Sequence, residues 1–413
     1  MLSSHTTNMR VTVLTVGEYP TVNGLHASQV LPFAVYLKSH GVRVAWIAFI
    51  PIEMRLRDLL VNDGSLLADM RKLAAHYGIE FKVSIFPITI IRAYSYVCRN
   101  WLIRLAGSKL VKLLEGSQSS IETHIIHCRS YFAAATALQA KKENRALHVS
   151  FDMRSLLPPE VPLMFPLLGK FLYGGLKEWE SDLLQESDCS FLPCLRGIRL
   201  LELEGAASLP MHIPIAGFDD LPILDENENL LDAAVIGYIG GLGAWHSPAM
   251  LEQLFVALAN YLPDCKYEVV TTDAFTCKTP VRVYSLPHQE VKDTLRRMLA
   301  LVVPGPDSVD GYFTESKLSA NFFSTKAAEA LSLGVPLLVN AKIRELADYV
   351  RVNRCGLVFT LENGCFRIEG LETERLKSNE LWLDLRRAAH ACSREFRRQT
   401  VYDRYLAAWN NPI

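Results

Sequence analysis

The sequence predicts an α/β protein with two doubly wound, Rossmann-like domains that face each other across a cleft. The chain has 413 residues, which is too long for one ordinary hydrophobic core. Short apolar segments typical of buried strands alternate with segments of helical periodicity along the whole length. This alternation stops once, near Gly217, and resumes at Ala234.

The interruption near Gly217 divides the chain. Residues 1–217 form the predicted first domain, and residues 233–395 form the second. Between them, residues 218–232 are rich in acidic side chains and have little periodicity, so we interpret them as a linker. The basic stretch 381–409 has a helical pattern, and we expect residues 396–413 to be a C-terminal helix that crosses back to the first domain.

The first domain begins with a predicted β-α-β unit. Strands at residues 11–16 and 42–48 flank a helix that carries Val30, Phe33 and Leu37 and ends before Gly41. Pro32 lies inside this helical pattern, so the helix should start late or kink. Further predicted strands lie at residues 125–126, 147–151 and 189–192.

The second domain repeats the alternation. Helices are predicted at residues 250–262, at 289–299 and from Arg344, and strands at residues 235–239, 267–272, 281–285, 301–303, 335–339 and 357–360. Ligands of doubly wound folds bind outside the carboxyl ends of the strands. The loops after these strands are therefore where we expect functional residues.

Composition excludes several classes of protein. The chain has 43 Lys+Arg and 44 Asp+Glu residues, so it carries no overall charge that would attract nucleic acid. Its nine cysteines are scattered without C-x-x-C spacing, which favours free thiols over a zinc site or a disulfide framework. The N-terminus lacks the apolar core of a secretory signal, and no apolar run is long enough to span a membrane. We therefore expect a cytoplasmic protein.

The segment from Ser324 to residue 340 predicts a binding site. Ser324 is a suitable helix N-cap, Gly334 a suitable helix stop, and residues 335–339 an apolar strand. A helix N-terminus offers free N–H groups and partial positive charge, to which Lys326 adds a full charge. Glu329, on the same face, can hold sugar hydroxyls. An anion site beside a hydroxyl site suits a nucleotide sugar; the alternative is a surface Lys–Glu ion pair.

A glycine-rich loop at residues 237–246 follows one strand and precedes a helix. Gly240, Gly241 and Gly243 allow backbone N–H groups to approach a phosphate, although a tight turn selected for packing fits equally well. His246 stands where the dinucleotide fingerprint needs its last glycine, which argues against an NAD-dependent oxidoreductase.

Charged residues follow two strands of the first domain. Arg129 lies just past a strand end and suits phosphate or carboxylate recognition, or it is an ordinary surface arginine. Asp152 and Arg154 follow the next strand, either as a structural pair that braces a loop or with one of them on acceptor hydroxyls. His127 fits a packed histidine better than a ligand.

Residues 92–112 mix basic residues with Tyr94, Tyr96 and Trp101. This pattern favours a solvated amphipathic helix of the first domain. Contact with an anionic membrane surface is the alternative.

Residues 321–358 resemble the nucleotide-sugar segment of the family-four retaining glycosyltransferases, which have the GT-B fold. Glu329 matches the second glutamate of the family pattern, residues 330–336 match the glycine turn and strand after that glutamate, and Asn321 stands in place of the first glutamate. Ser324-Thr325-Lys326 is similar to the Pro-Thr-Lys variant of some members. Trp245 and His246 occupy the region of the family's basic pair.

Softer matches extend the resemblance in order along nearly the whole chain. Residues 20–24, in which Asn23 replaces a glycine, resemble the family's first glycine loop. Residues 127–130 and 214–219 are similar to later first-domain motifs, and residues 238–240 resemble the opening of the second domain.

The resemblance implies an enzyme that moves a sugar from a nucleotide-sugar donor to a hydroxyl of a glycan or lipid-linked acceptor. We expect the reaction to retain the configuration of the sugar and to need no cofactor and no obligatory metal. The expected role is surface polysaccharide or glycoconjugate synthesis at the inner face of the membrane. Catalytic roles fall to Lys326, Glu329 and Arg129. Donor contacts fall to Gly240, Gly241, Gly243, Trp245, His246, Thr325, Lys326 and Glu329, and acceptor contacts to Asn23, Gly24, Arg129, Asp152 and Arg154.

Two alternatives stay open. A nucleotide-sugar epimerase of the same fold needs no acceptor. A non-catalytic nucleotide-sugar binder is compatible with Asn321 in place of a glutamate and with the missing basic pair.

Overall fold

The computed structural model describes residues 9–22, 26–86, 96–115, 123–222, 225, 229–232, 234–243, 245–306, 323–362 and 365–410. The chain forms two compact units. One contains Met1–Pro193, Ile198–Ile213 and Tyr402–Ile413, and the other contains Cys194–Gly197 and Pro214–Val401.

The first unit is built on a sheet of seven parallel strands. The strands are β1 (Met9–Val16), β2 (Arg43–Pro51), β3 (Glu80–Phe86), β4 (Thr123–Arg129), β5 (Leu147–Asp152), β6 (Cys189–Leu192) and β7 (Met211–His212). Their order is β3-β2-β1-β4-β5-β6-β7, so the chain starts in the middle and winds outward in both directions. Val11, Val13 and Leu14 of β1 are all buried, as expected for a central strand covered on both faces.

The helices of the first unit connect these strands. They are α1 (Leu31–Ser39), α2 (Ile52–Val61), α3 (Ser65–His76), α4 (Arg99–Leu114), α5 (Tyr131–Glu143), α6 (Leu157–Met164), α7 (Pro166–Glu186) and α8 (Leu195–Leu203). A π-helix, His26–Val30, precedes α1. Pro32 therefore lies in the first turn of α1, where a missing N–H leaves no carbonyl unpaired, and the late helix start predicted from Pro32 is confirmed.

The second unit repeats this arrangement with one reversed edge strand. Its strands are β8 (Val235–Ile239), β9 (Lys266–Val270), β10 (Arg282–Tyr284), β11 (Met298–Val303), β12 (Leu337–Asn340), β13 (Gly356–Glu362) and β14 (Cys365–Ile368). The order is β10-β9-β8-β11-β12-β13-β14, parallel except for β14, which pairs antiparallel with β13. The helices are α9 (Pro248–Tyr261), α10 (His288–Arg296), α11 (Thr325–Ser332), α12 (Arg344–Asn353), α13 (Asn379–Phe396) and α14 (Arg398–Asn410), with a 3-10 helix at Thr373–Lys377.

Two predicted helices have different bounds in the structure. The helix expected at residues 289–299 ends at Arg296, because Met298 begins a strand whose six residues are all buried. The helical stretch 381–409 is broken at Arg397, whose backbone is extended (φ −64°, ψ 139°). Helices α13 and α14 result, and the chain enters the first unit within α14, at Tyr402 rather than at residue 396.

The boundaries between the units also differ from those predicted. Phe218 and Leu230, at either end of the predicted linker, are buried in the second unit, and the Gly217 N–H donates to the Phe396 carbonyl at 2.6 Å. Residues 223–224 and 226–228 of the predicted linker lie outside the described residues. Cys194–Gly197 belong to the second unit because the Leu195 and Arg196 N–H groups donate to the Glu345 carboxylate.

Helix α11 has the caps that its sequence predicts. The Ser324 hydroxyl accepts the Lys326 N–H at 3.2 Å. At the other end Gly334 has a left-handed backbone (φ +73°), its N–H donates to the Leu331 carbonyl, and the Val335 N–H donates to the Ala330 carbonyl. These two bonds form a Schellman motif, which ends the helix sharply before β12.

Substitution of Gly334 tests this helix stop. A Cβ at residue 334 would lie 2.8 Å from the Pro222 Cβ, and an L residue in this backbone conformation costs about 1–2 kcal/mol. We expect Gly334→Ala to lower the unfolding temperature of the second unit by more than Gly370→Ala. Gly370 has the same left-handed backbone (φ +65°), but a Cβ there would meet nothing within 4 Å. Equal losses in calorimetry would contradict the packing argument.

Candidate functional site

The glycine loop of the second unit follows β8 at the carboxyl edge of the sheet. Gly240 has a backbone that favours glycine (φ +144°), and its N–H donates to the Val270 carbonyl at 3.0 Å. A Cβ at this position would lie 3.2 Å from the Tyr238 hydroxyl, which itself donates to the Gly241 carbonyl at 2.5 Å. Backbone conformation and lack of space both require glycine at position 240.

Asp273 braces the same loop. Its carboxylate accepts the Leu242 N–H at 2.7 Å, and its own N–H donates to the Thr271 hydroxyl at 3.1 Å. Asp273 follows β9 and was not among the predicted site residues. The signal was present in the sequence, because a polar residue just past a strand end is the criterion that selected Asp152.

The loop closes with a short turn before α9. Gly243 and His246 exchange two backbone hydrogen bonds of 3.0 and 3.1 Å, and a Cβ at Gly243 would meet no atom within 4 Å. Trp245 is half-buried within this turn. The open space at Gly243 and the packed Gly240 show that the glycines serve different purposes.

Lys326 and Glu329 form an ion pair with 3.3 Å between Nζ and Oε2. The pair is not the surface ion pair of the alternative interpretation, because the Glu329 side chain is 1% exposed and that of Lys326 is 28% exposed. Within the described part of the chain, Glu329 Oε1 has no hydrogen-bond partner. A buried carboxylate oxygen without a donor is costly and marks a place where a ligand hydroxyl can bind.

Helix α11 and the glycine loop lie side by side. The Lys326 Cγ is 4.0 Å from the position of a Cβ on Gly240, and the charge of Lys326 acts on the His246 imidazole. Burial, together with this charge, lowers the pKa of His246 to about 4, so the ring is neutral at physiological pH. The start of α11 and the loop that carries Gly240 and His246 are therefore neighbours.

Two further residues of the second unit belong to this neighbourhood and were missed. Burial and the charges of Lys326 and Arg398 lower the pKa of His288, against the opposing effect of Glu329. The His288 ring stacks on Phe218 at 6.2 Å between ring centroids, and the Arg398 guanidinium lies 5.4 Å from the centre of the same ring. Only the fold brings these residues to Glu329, since no local motif marks them.

A second polar cluster lies at the carboxyl edge of the first sheet. The register of β4 and β5 places Arg129 beside Asp152, and Asp152 is 3.5 Å from Arg154 and 3.7 Å from His127. Arg129 is 7% exposed, so the interpretation as a surface arginine is wrong. Burial and the charge of Arg154 lower the pKa of Arg129 to about 10.

Backbone strain accompanies this cluster. Ser130 (φ +85°) and Arg154 (φ +64°) are left-handed residues other than glycine, and each follows a strand end. Among the described residues, Arg129 Nε and Asp152 Oδ1 have no hydrogen-bond partner. Strained backbone beside unsatisfied buried groups is typical of binding sites.

His127 is the packed histidine that the sequence favours. Its ring lies within about 6 Å, centroid to centroid, of Phe33, Tyr405 and Trp409, and burial lowers its pKa to about 4. Because these three aromatic rings cover the imidazole, a ligand cannot reach it.

His26 is a further buried residue of the cluster that was not predicted. Its Nε2 lies 3.3 Å from the Glu18 carboxylate, and its ring stacks on Trp46 with 5.5 Å between ring centroids. Asn23 and Gly24, predicted to contact the acceptor, lie outside the described residues, as does Asn321 of the donor segment.

No group of three or more metal-ligating side chains is present within the ranges described above. Over the same ranges, no helix combines the length and apolar character needed to cross a bilayer.

Comparison with solved structures identifies the fold. The chain is similar to sucrose-phosphate synthase from Thermosynechococcus elongatus (TM-score 0.63, 11% identity, 97% of this chain and 98% of that chain). It is also similar to a glycosyltransferase from Rickettsia africae (TM-score 0.60, 12% identity, coverage 97% and 98%). A third similar structure is that of a proposed UDP-N-acetylglucosamine 2-epimerase from Listeria monocytogenes (TM-score 0.53, 11% identity, coverage 98% and 96%).

These similarities confirm the predicted fold class. The two doubly wound units are Rossmann-like, and the fold is of the GT-B type. No protein-family model matches the sequence. A search of curated proteins gives no match either.

Substitution of Lys326 tests the electrostatics of the second unit's site. We expect Lys326→Met to raise the pKa of His246 above about 4, because the repelling charge is removed while burial remains. The measurement is a pH titration by NMR of histidine-labelled protein. His124, whose pKa burial and the charge of Arg10 lower to about 4, is the internal control and should not move. An unchanged His246 pKa would show that the two groups are not coupled.

Proposed function

We propose that this protein is a glycosyltransferase that moves a sugar from a nucleotide-sugar donor to a hydroxyl of a glycan or lipid-linked acceptor. The observation that carries the proposal is Glu329, a fully buried carboxylate with one unsatisfied oxygen beside a lysine at a helix N-terminus. The GT-B fold, found in glycosyltransferases, supports it.

The donor would bind the second unit. Glu329 Oε1 would accept hydrogen bonds from ribose hydroxyls, and Lys326 would pair with the diphosphate. The Ser324 cap takes the Lys326 N–H, and the Gly243 N–H is bonded to the His246 carbonyl, so the Thr325 and Gly241 N–H groups are those assigned to phosphate oxygens. Gly243 would contribute the open space beside them, since a Cβ there would meet no atom within 4 Å. Trp245 and His246 complete this pocket, with the imidazole neutral.

Catalysis would consist of stabilising the leaving diphosphate. Charge develops on the bridging oxygen as the bond to the sugar breaks, and Lys326 would compensate it. Retention of configuration without an obligatory metal comes from the resemblance to family four and remains part of the proposal.

The acceptor would bind the first unit. The unsatisfied Asp152 Oδ1 would accept a hydrogen bond from a hydroxyl of the acceptor substrate. Arg129 and Arg154 would bind anionic groups of that substrate. Asn23 and Gly24 are assigned to the same site from sequence alone.

A nucleotide-sugar epimerase is the second candidate, favoured by the structural similarity to the protein from Listeria monocytogenes. It differs from a transferase in needing no acceptor. Incubation of the protein with a panel of nucleotide sugars alone separates the two, because only an epimerase converts the sugar under these conditions. A pure binder would retain the donor and turn it over under neither condition.

The donor site is tested by Lys326→Ala and Glu329→Gln. We expect each to lower donor turnover by roughly 100-fold or more, the loss typical of one group that stabilises a transition state. A thermal-shift screen of nucleotide sugars identifies the donor first, since a bound ligand stabilises the folded protein.

The matched control is Lys377→Ala. Lys377 pairs with Glu374 at 2.8 Å with the same three-residue spacing in the same unit, but this pair is exposed. Its removal should leave turnover unchanged. Wild-type kinetics in both Lys326→Ala and Glu329→Gln would refute the proposed site.

We also propose that the first unit binds an anionic membrane surface, which would place the enzyme at the cytoplasmic face. Residues 92–95 lie outside the described residues, and α4 buries its apolar face while leaving Trp101 61% exposed.

Helix α2 supports the proposal more strongly. Six of its ten residues are exposed large apolar side chains: Ile52, Met54, Leu56, Leu59, Leu60 and Val61.

Vesicle flotation tests this surface. Burying one leucine side chain contributes about 1.5–3 kcal/mol, so Leu56→Asp with Leu60→Asp should reduce binding to vesicles that contain anionic lipid at least about tenfold. Val352→Asp, at an 81% exposed apolar position in the second unit, is the control and should bind as wild type. If the vesicle-bound fraction changes neither with anionic lipid nor with the α2 substitutions, the proposal is contradicted.

A further inference from the structure

Two cysteines of the second unit are in direct contact. Cys355 lies between α12 and β13, and Cys392 lies about one turn before the end of α13. The nine cysteines of the chain are free thiols, and the thiols of this pair are hydrogen-bonded to each other. Cys355 is completely buried, and Cys392 is partly exposed.

The backbone holds Cys355 firmly in place. Its carbonyl accepts the Leu337 N–H at 3.2 Å, and the preceding residue, Arg354, is left-handed (φ +54°). A Cβ on the following Gly356 would lie 2.1 Å from the Leu337 carbonyl oxygen. The backbones of β12 and β13 therefore leave no room for a side chain at residue 356. Any movement that draws the two sulfur atoms together must therefore come from α13.

The surroundings of Cys392 make it the more reactive thiol. Its hydrogen bond with Cys355 lowers the pKa of Cys392 against the effect of burial, and Cys392 is the partly exposed member of the pair. The Tyr349 hydroxyl next to it donates its proton to Glu395 at 2.8 Å. The pKa of Cys355 is raised instead, by its hydrogen bond to Cys392 and by burial. A partly exposed cysteine beside a second, buried thiol is the arrangement of redox-sensing pairs.

Helix α13 also packs on the helix that carries Lys326 and Glu329. Ala389 and Phe396 of α13 belong to the same hydrophobic cluster as Ala327 and Leu331 of α11, and Cys392 packs against that cluster. A Cβ on Gly334, at the end of α11, would lie 3.4 Å from the His390 Cα. With such tight packing, displacement of α13 is transmitted to α11.

We propose that Cys392 and Cys355 form a peroxide-sensitive disulfide that displaces α13 and loosens the start of α11. The Cys392 thiolate attacks one oxygen of hydrogen peroxide, the O–O bond breaks, and the hydroxide that leaves is protonated to water. The sulfenic acid of Cys392 is then attacked by the Cys355 sulfur, which loses its proton. The S–S bond forms as a second water leaves, so that two thiols and one peroxide give one disulfide and two waters.

The chemistry is tested on the intact protein with hydrogen peroxide as the probe. After blocking of unreacted thiols, mass spectrometry should find the 355–392 linkage, removed again by dithiothreitol. Cys355→Ser should instead accumulate a sulfenic acid at residue 392, trapped by a 1,3-diketone reagent. Cys265→Ser is the control, because burial raises the pKa of Cys265 to about 11 and this variant should form the linkage as wild type does. Oxidation confined to the exposed Cys98 and Cys365 would overturn the proposal.

The coupling to α11 is tested without any donor. Amide hydrogen exchange of Thr325–Ser332 should accelerate in the oxidised wild type and stay unchanged in peroxide-treated Cys392→Ser. Unchanged exchange in a protein that carries the disulfide would overturn the coupling, whatever the function of the site.

The consequence for ligand binding rests on the proposed function. Oxidation should weaken binding of the nucleotide sugar roughly fivefold or more, the lower end of ordinary coupling between sites. If neither form binds any nucleotide sugar, the proposed function fails while the disulfide and its effect on α11 stand. If both forms bind equally well, the regulation fails and the donor site stands.

Discussion

The constraint on which the second unit depends is the burial of the Glu329 carboxylate. A charge taken out of water is tolerated only if a partner compensates it, and Lys326, one helical turn earlier, does so for one oxygen. The pairing requires α11 to begin just before Lys326, which the Ser324 cap ensures, and to end before β12, which the Schellman turn at Gly334 ensures. No described residue donates a hydrogen bond to the second carboxylate oxygen. The folded chain therefore has an unsatisfied hydrogen-bond acceptor at the carboxyl edge of the sheet.

The same principle operates in the first unit, with the charges reversed. There Arg129 and Asp152 are buried, Arg154 is partly buried and pairs with Asp152, and the atoms without a described partner include a donor, Arg129 Nε, and an acceptor, Asp152 Oδ1. Strand register alone places Arg129 beside Asp152, so this site is a direct product of the parallel sheet. Each unit therefore carries an incompletely satisfied ionic cluster where its strands end, as doubly wound sheets favour.

Much of this could be predicted from the sequence, because the signals are local. Alternating apolar periodicity located the two sheets, and the caps of α11 come from Ser324 and Gly334, whose chemistry acts within one turn. The break at Arg397 was not predictable, because the residue has no breaker chemistry and an uninterrupted helical pattern surrounds it. His288 and Arg398 were missed for a related reason. They reach the site through tertiary packing, and nothing in their own neighbourhood distinguishes them from surface residues.

The sequence pattern alone also could not separate a surface ion pair from a binding site at Lys326 and Glu329, since spacing is the same in both. Burial of Glu329 excludes the surface pair, and that burial depends in part on α13, which packs against α11 in one hydrophobic cluster. A helix that helps to keep Glu329 from water is thus the one that carries Cys392. A carboxylate kept dry by packing is sensitive to any change in that packing, because a small opening admits water and weakens every electrostatic contact made there. A chemical change at Cys392 can therefore act on the Lys326–Glu329 pair without touching either residue.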